Sequence, residues 1–162
     1  ESSTDYKNKN LESLEFDSRK FLILLDDIDR LLLTRKDFLL GRWVNAAERI
    51  GTNTKEKLQF EREAKTLITL WSDKEATLHE YACKQWGGMI RSFYKPRWSQ
   101  FFDYAISCLK ENKTFDENEF DDKMKDWEWD WVNKQEKFIE IPVGSAVQES
   151  GILFKKYSFL FK

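Results

Sequence analysis

The chain has little glycine, proline or cysteine: 6 Gly, 2 Pro and 2 Cys among 162 residues. So few turn-forming residues disfavour a β architecture of many short strands, which needs frequent turns. Two cysteines cannot make a disulfide framework, and we expect Cys83 and Cys108 to be free thiols. No charge sign is in excess either, since 27 basic and 29 acidic residues give a formal net charge of -2. The basic field that nucleic-acid binding uses is therefore missing, and no nucleic-acid partner is expected.

Long hydrophobic runs are scarce as well. The densest run, Phe21 to Leu25, is soon followed by Asp26 and Asp27. A membrane-spanning helix needs about 18 or more apolar residues in succession, so no membrane span is expected. The sequence opens Glu1-Ser2-Ser3, without an initiator methionine or a basic and then apolar leader, and we expect it to be part of a longer protein.

Aromatic residues are abundant, at 15% of the chain with 13 Phe and 7 Trp. Large side chains with few turn residues favour long regular elements, and a domain of this size buries roughly 68–70% of its unfolded surface in one core. The sequence predicts an all-α fold over residues 1–162: one domain, a multi-helix bundle of about six or seven helices.

Apolar residues recur every three or four positions along most of the chain, the period of a helix face. Thr114, with Glu117 three residues later, fits a capping box at a helix start. Pro96 suits the first turn of another helix. The expected helices cover about residues 9–35, 37–50, 54–71, 78–94, 96–110, a stretch from Thr114 through Trp131, and 146–161.

Two of these helices carry specific burial predictions. In the third, the spacing predicts a buried side formed by Phe60, Ala64, Leu67 and Trp71. In the last, three large side chains are available for burial: Ile152, Phe154 and Tyr157.

Acidic and aromatic residues alternate from Asp126 to Trp131. Carboxylates that bond sugar hydroxyls beside indole faces are typical of a carbohydrate site. On a helix, however, Trp127 and Trp131 become neighbours in the core, while Asp126 and Asp130 share a solvated face. The second interpretation is the stronger one from sequence.

Other chemistry has weak support. Gly87-Gly88 inside a helix costs about 1 kcal/mol per residue relative to Ala, which indicates a close backbone approach at this point. His79 and Cys83 provide two metal ligands at most, fewer than a zinc site needs. No phosphate-binding glycine loop is present, so no metal, cofactor or catalytic residue is expected in this chain.

Five segments together resemble the C-terminal helical domain of the alpha-N-acetylglucosaminidase family. They are Leu25-Asp26-Asp27-Ile28-Asp29, Asp37-Phe38-Leu39-Leu40-Gly41-Arg42-Trp43, Thr69-Leu70-Trp71, Leu78-His79-Glu80-Tyr81-Ala82 and Tyr94-Lys95-Pro96-Arg97-Trp98. Their order and spacing agree with the family's pattern. Three positions depart from it: the family's arginine is Lys65, its glycine-proline is Ser72-Asp73, and its asparagine is Cys83.

The resemblance implies that the parent protein is a retaining exo-glycosidase that removes terminal alpha-linked N-acetylglucosamine. Its catalytic carboxylates would lie on a preceding (β/α)8 barrel, so this chain alone would be inactive. The family's sugar-pocket positions correspond to Trp71, Leu78 and Tyr81. The implied partners are the glycan and the preceding barrel, with self-association when the barrel is absent, and the implied location is secreted, periplasmic or lysosomal.

Two alternatives stay open. From the residues alone, Trp71, Leu78 and Tyr81 fit core packing as well as a sugar pocket, because large aromatics are commonly buried. The chain also fits a non-enzymatic helical module that binds a protein or glycan, with Trp129 and Trp86 as exposed anchors.

Overall fold

A computed structural model of the chain describes residues 2–8, 10–76 and 82–161. These residues form seven α-helices: α1 Ser2–Lys7, α2 Leu11–Leu32, α3 Leu40–Glu48, α4 Thr54–Ile68, α5 Lys95–Lys110, α6 Glu117–Asn133 and α7 Ala146–Tyr157. A π-helical turn, Ile90–Tyr94, leads into α5, and 3-10 turns cover Lys36–Phe38 and Ser158–Phe161. No strand forms among the described residues; Leu39 and Gly87 share an isolated parallel bridge. The prediction of an all-α bundle of about six or seven helices is confirmed.

Side chains cap several helix starts. Asn10 accepts a hydrogen bond from the Ser13 amide at 3.1 Å before α2, and Asn53 accepts one from the Glu56 amide at 3.0 Å before α4. The capping box expected at Thr114 is wrong: Asp116 caps α6 and accepts from two amides in its first turn. A carboxylate competes well for this position, because it also interacts favourably with the positive end of the helix dipole.

The main core lies where α3, α4, α6 and the π-helical turn meet. Phe93 is fully buried there, and its ring lies 4.8 Å from that of Trp131 and 5.5 Å from that of Trp127. The fully or largely buried members are Leu40, Val44, Ile68, Leu70, Met89, Phe93, Trp131 and Val132.

A second cluster lies between α2 and α5. Leu14, Phe102 and Ala105 are its buried members, and partly buried aromatics surround them. The rings of Phe21 and Trp98 are 5.0 Å apart, which places the tryptophan of the Tyr94–Trp98 segment against α2.

The buried face of α4 differs from the expected one. Ala64 is buried as predicted and Phe60 is partly buried, but Leu67 and Trp71 are exposed. The face that points inward consists of Glu61, Ala64, Lys65 and Ile68. The prediction followed apolar spacing alone, whereas the inward face includes two charged residues, Glu61 and Lys65, that form an ion pair inside the protein.

Helix α7 lies on the surface and buries no residue fully. The expectation of burial is wrong for Ile152 and Phe154, which are 53% and 67% exposed. Tyr157 is partly buried, and its hydroxyl donates to Asp27 at 2.7 Å. None of the helices in the described ranges has the length and hydrophobicity needed to cross a membrane.

Candidate functional site

Trp71 stands at the exposed end of α4. The backbone leaves the helix after Ile68, and the Trp71 amide donates to the Thr66 carbonyl at 2.8 Å. Trp71 has a left-handed φ of 68°, and its side chain is 46% exposed. This conformation costs a non-glycine residue roughly 1–2 kcal/mol. Leu70 beside it is fully buried, so the chain turns the leucine inward and the tryptophan outward.

The other two pocket positions, Leu78 and Tyr81, lie outside the described residues, as does His79. Lys74, in the segment that leads towards them, contacts α6: its Nζ lies 2.5 Å from Asp126 Oδ1. Of the expected pocket residues, only Trp71 can therefore be located, and it is not a core residue.

Residues 82–88 are not helical, so the expected helix over residues 78–94 is wrong for this stretch. The Gly87 amide donates to the Phe38 carbonyl at 2.7 Å, and the Gly87 carbonyl accepts from the Leu40 amide at 3.1 Å. A Cβ at Gly87 would lie 2.8 Å from the Leu33 nitrogen. The close backbone approach expected at the glycine pair is present, but it joins an extended segment to the α2–α3 connection.

Asp29 directs the start of the π-helical turn. Its side chain is buried, and Oδ1 accepts from the amides of Gly88 at 2.7 Å and Arg91 at 3.2 Å. Gly88 has a φ of 88°, which favours glycine. Burial raises the pKa of Asp29, although the two amide hydrogen bonds oppose that shift.

Lys65, one of the three departures from the family pattern, is almost completely buried at 1% exposure. Its Nζ lies 2.6 Å from Glu61 Oε1 and donates to the Lys134 carbonyl at 2.5 Å. Because the ammonium group is engaged inside the core, Lys65 holds α4 to the end of α6.

A second buried ion pair lies between α5 and α6. Glu128 is 1% exposed, and its Oε1 lies 2.5 Å from Arg97 Nε. Burial lowers the pKa of Arg97 despite this partner. Nearby, burial and then the charges of Cys83 and Glu128 raise the pKa of the Tyr94 hydroxyl to about 12. The Tyr94 to Trp98 segment, at the start of α5, therefore contacts α6 through Arg97 and lies near Cys83 through Tyr94.

For the acidic and aromatic run from Asp126 to Trp131, the structure confirms the interpretation in which the tryptophans pack in the core. Trp127 and Trp131 pack against Phe93, while Asp126 and Asp130 are exposed. The two anchors of the alternative binding module, Trp86 and Trp129, are partly buried against the main core, so their expected exposure is wrong. Glu128, the middle carboxylate of the run, is buried.

An apolar groove runs between α3 and α4, and we call it the α3/α4 groove. It has a volume of about 290 Å³ and is lined by Trp43, Ala46, Ala47, Ile50, Phe60, Glu63, Ala64 and Leu67. Trp43 is fixed at its rim, because its Nε1 donates to the Ala64 carbonyl at 2.9 Å. Leu67, another lining residue, is 49% exposed.

Sequence reasoning missed the ion pairs made by the buried carboxylates of Glu61 and Glu128. Arg97 joins α5 to Glu128 on α6, whereas Glu61 and Lys65 both lie on α4 and Lys65 reaches the Lys134 carbonyl at the end of α6. The four-residue spacing of Glu61 and Lys65 was visible as a helical pair, but nothing in the sequence indicated that the pair is buried.

Comparison with known proteins agrees with this arrangement. The model of the family described as the alpha-N-acetylglucosaminidase (NAGLU) C-terminal domain matches residues 1–156. The human protein named alpha-N-acetylglucosaminidase is 28% identical over 134 residues, which is 83% of this chain and 18% of the relative.

Solved structures give the same result. A family 89 glycoside hydrolase from Clostridium perfringens, in complex with PUGNAc, matches with a TM-score of 0.82 and 27% identity over 96% of this chain. The same organism's enzyme in complex with its substrate GlcNAc-alpha-1,4-galactose matches with a TM-score of 0.81 and 27% identity over 95% of this chain. In both, the chain spans 18% of the relative's length. The helical bundle, its signature segments and these matches show that the chain belongs to the alpha-N-acetylglucosaminidase C-terminal domain family.

Proposed function

We propose that residues 1–162 form one domain at the C-terminal end of a larger retaining glycosidase that removes terminal alpha-linked N-acetylglucosamine from glycans. The observation that carries this proposal is the family match over residues 1–156 in a chain that spans 18% of its relatives. One relative was solved with GlcNAc-alpha-1,4-galactose as its substrate. For the parent protein, a secreted, periplasmic or lysosomal location is part of the same proposal.

The domain itself supplies no catalytic pair in this proposal. A retaining mechanism needs an acid/base and a nucleophile about 5–5.5 Å apart, both able to change their bonding during the reaction. The buried carboxylates of Asp27, Glu61 and Glu128 are instead held by cations of the bundle. The isolated chain should not hydrolyse an aryl alpha-N-acetylglucosaminide. Turnover that disappears when one of its own carboxylates is replaced would contradict this.

The domain packs against the catalytic barrel through the α3/α4 groove. Apolar surface of this kind, with Ile50 at 69% and Leu67 at 49% exposure, is unfavourable in water. A barrel that covers the groove removes this apolar surface from water.

Trp71 is the residue that we assign to the sugar pocket, together with Leu78 and Tyr81. Its support is the exposed indole held in a left-handed conformation. Backbone strain of this kind is common where side chains are positioned for function. An indole face can stack on the apolar face of a sugar ring.

The test is a kinetic comparison of full-length variants on an aryl alpha-N-acetylglucosaminide. Trp71→Ala should lower kcat/KM by about 10²–10³, the usual effect of losing a well-placed transition-state contact. Trp71→Phe should retain part of the activity, because it keeps a ring. The control Phe154→Ala removes another exposed aromatic, on α7, and should leave kcat/KM unchanged. Equal activity of Trp71→Ala and the control would refute the pocket assignment.

A further inference from the structure

The connection between α5 and α6 contains an asparagine in a specific sequence context. Asn112, Lys113 and Thr114 form the triplet Asn-x-Thr, and no other asparagine of the sequence has a serine or threonine two residues later. This triplet, with any residue but proline in the middle, is the acceptor signal for N-linked glycosylation of secreted proteins. The signal is short and also arises by chance, so its position in the fold decides whether it can carry a glycan.

Asn112 lies in the turn that ends α5. Its amide donates to the Leu109 carbonyl at 3.2 Å, and the Lys113 amide donates to the Cys108 carbonyl at 2.8 Å. Asn112 has a left-handed φ of 55°. After glycine, asparagine is the residue that most often takes this position at a helix end. The turn therefore explains the asparagine, but it does not require a threonine two residues later.

Thr114 does not start the next helix. Asp116 accepts hydrogen bonds from the amides of Asn118 at 3.0 Å and Glu119 at 3.1 Å, so this carboxylate, rather than the Thr114 hydroxyl, caps α6. The Thr114 side chain is exposed and is not part of the core. The acceptor signal, which needs a hydroxyl at this position, accounts for the threonine.

The turn also leaves room for a bulky modification. Every residue from Glu111 to Thr114 is exposed, and the ion pair of Lys113 Nζ with Glu111 Oε2, at 2.5 Å, lies on the surface. Phe115 anchors the chain directly afterwards, because its ring lies 4.9 Å from that of Tyr104 and 5.5 Å from that of Phe120. A glycan on Asn112 extends from a fixed turn into solvent without displacing a core side chain.

The turn is separate from the surface assigned to the barrel. Phe115 packs against the second cluster, between α2 and α5, whereas the α3/α4 groove is lined by residues of other helices. The residues that line the groove include none from the turn or from that cluster. A glycan and a docked barrel therefore do not compete for the same residues.

We propose that Asn112 is an N-glycosylation site of the parent protein. The donor is an oligosaccharide linked to a polyprenyl diphosphate, used by a membrane-bound transferase. Asn112 Nδ2 forms a bond to C1 of the first sugar, the C1–O bond to the diphosphate breaks, the lipid diphosphate leaves, and the nitrogen gives up one proton. No oxidant or reductant is needed. The proposal rests on the secreted or lysosomal location proposed for the parent, and it commits to a eukaryotic secretory pathway.

The test uses the full-length parent, produced in eukaryotic cells behind a cleavable secretory leader. Asn112→Gln should remove one glycan, seen as a single step to lower mass. Thr114→Ala should remove the same glycan, because the acceptor signal needs the hydroxyl, and Thr114→Ser should keep it. The matched control Asn118→Gln, at an exposed asparagine outside the signal, should keep the glycan.

Peptide mass spectrometry identifies the modified residue, because the amidase that removes Asn-linked glycans converts the acceptor asparagine to aspartate. The glycan is added as the chain enters the secretory pathway, so the result does not depend on how well a variant folds. An unmodified Asn112 peptide, or a glycan that persists there in Thr114→Ala, would overturn the proposal. Hydrolysis of an aryl alpha-N-acetylglucosaminide by the same preparation tests the proposed function separately: an active parent with unmodified Asn112 contradicts only the glycosylation site.

Discussion

Lys65 places a positive charge in the main core at 1% exposure. Burying a charge is costly unless it is paired and hydrogen-bonded, and Glu61 and the Lys134 carbonyl meet both needs. The structural role of Lys65 explains how the family's arginine position tolerates a lysine in this chain. A compact ammonium group fits a site where one carboxylate and one carbonyl converge.

Lys65→Met should lower the free energy of unfolding by about 3–5 kcal/mol, because it leaves the Glu61 carboxylate buried without its cation. Adding Glu61→Leu should recover most of that loss, since an apolar pair of similar volume often replaces a buried ion pair at little cost. Urea denaturation of the single and double variants measures both effects. The control Lys57→Met, at an exposed position of α4, should stay within about 0.5 kcal/mol. A single variant as stable as the control would disprove the core role.

The residues also show where sequence reasoning works and where it stops. The helical positions of Trp127 and Trp131 followed from spacing alone, because apolar periodicity reports burial directly. The burial of Lys65 and Glu128 did not, since charged residues are normally solvated and each pair depends on the packing of whole helices. The exposure of Trp71 follows from a left-handed residue after α4, which no periodic pattern encodes.

At the scale of elements, the stretch from Ala82 to Gly88 shows how distant contacts override local periodicity. Apolar spacing there favours a helix, but the backbone pairs with Phe38 and Leu40 and is capped by Asp29, about 50 to 60 residues away. Helix starts that depend on a nearby capping side chain are easier to predict from sequence. Even so, the predicted cap of α6, Thr114, lies two residues before the observed cap, Asp116.

Gly87→Ala should destabilise the fold by about 1–3 kcal/mol, because the added Cβ would lie 2.8 Å from the backbone nitrogen of Leu33. The matched control is Gly151→Ala within α7, where a Cβ has open space. That control should raise stability by about 0.5–1 kcal/mol, since alanine is the better helix former. Thermal unfolding should show a lower Tm for Gly87→Ala and a higher Tm for Gly151→Ala. Tm shifts in the same direction for both variants would contradict the close approach at Gly87.

Helix α7 is attached to α2 mainly through polar contacts. Asp27 lies 2.5 Å from Lys156 Nζ, and Arg30 contacts both Asp27 and Glu149. Burial alone would raise the pKa of Asp27, but hydrogen bonds from Lys156, Tyr157 and Arg30 outweigh it and hold the pKa below the ordinary value.

This lowered pKa predicts a pH dependence for α7. A carboxylate with a depressed folded-state pKa stabilises fully above its unfolded value and loses that contribution as the pH falls through the folded value. Asp27→Asn should therefore destabilise the chain at neutral pH by about 1–3 kcal/mol, a range reduced because the cations are partly exposed. The difference from the unchanged chain should shrink below pH 4, the ordinary aspartate range.

Hydrogen exchange of α7 amides across this pH range measures the effect. Asp29→Asn is the comparison variant, because burial raises the pKa of Asp29 and its ionised form is disfavoured in the fold. The cost of Asp29→Asn should grow as the pH falls, whereas the cost of Asp27→Asn should shrink. Identical pH trends for the two variants would contradict the assignment of Asp27 as the anchor.

At the scale of the whole molecule, two of the apolar surfaces among the described residues lead to different predictions. The α3/α4 groove is assigned to the barrel, whereas α7 exposes the side chains of Ile152 and Phe154 on its surface. Without the barrel, the groove should drive self-association at high concentration. Ile50→Ser should reduce that association in sedimentation experiments, and Ile152→Ser should not. The reverse order would move the docking face to α7.

The most direct test is a structure of the full-length parent with an uncleaved alpha-N-acetylglucosaminide in its pocket. We predict that the α3/α4 groove is covered by the catalytic barrel and that the Trp71 ring contacts the bound sugar, with both catalytic carboxylates supplied by the barrel. A sugar bound between barrel carboxylates while Trp71 remains in solvent, away from the ligand, would contradict the proposed role of this domain.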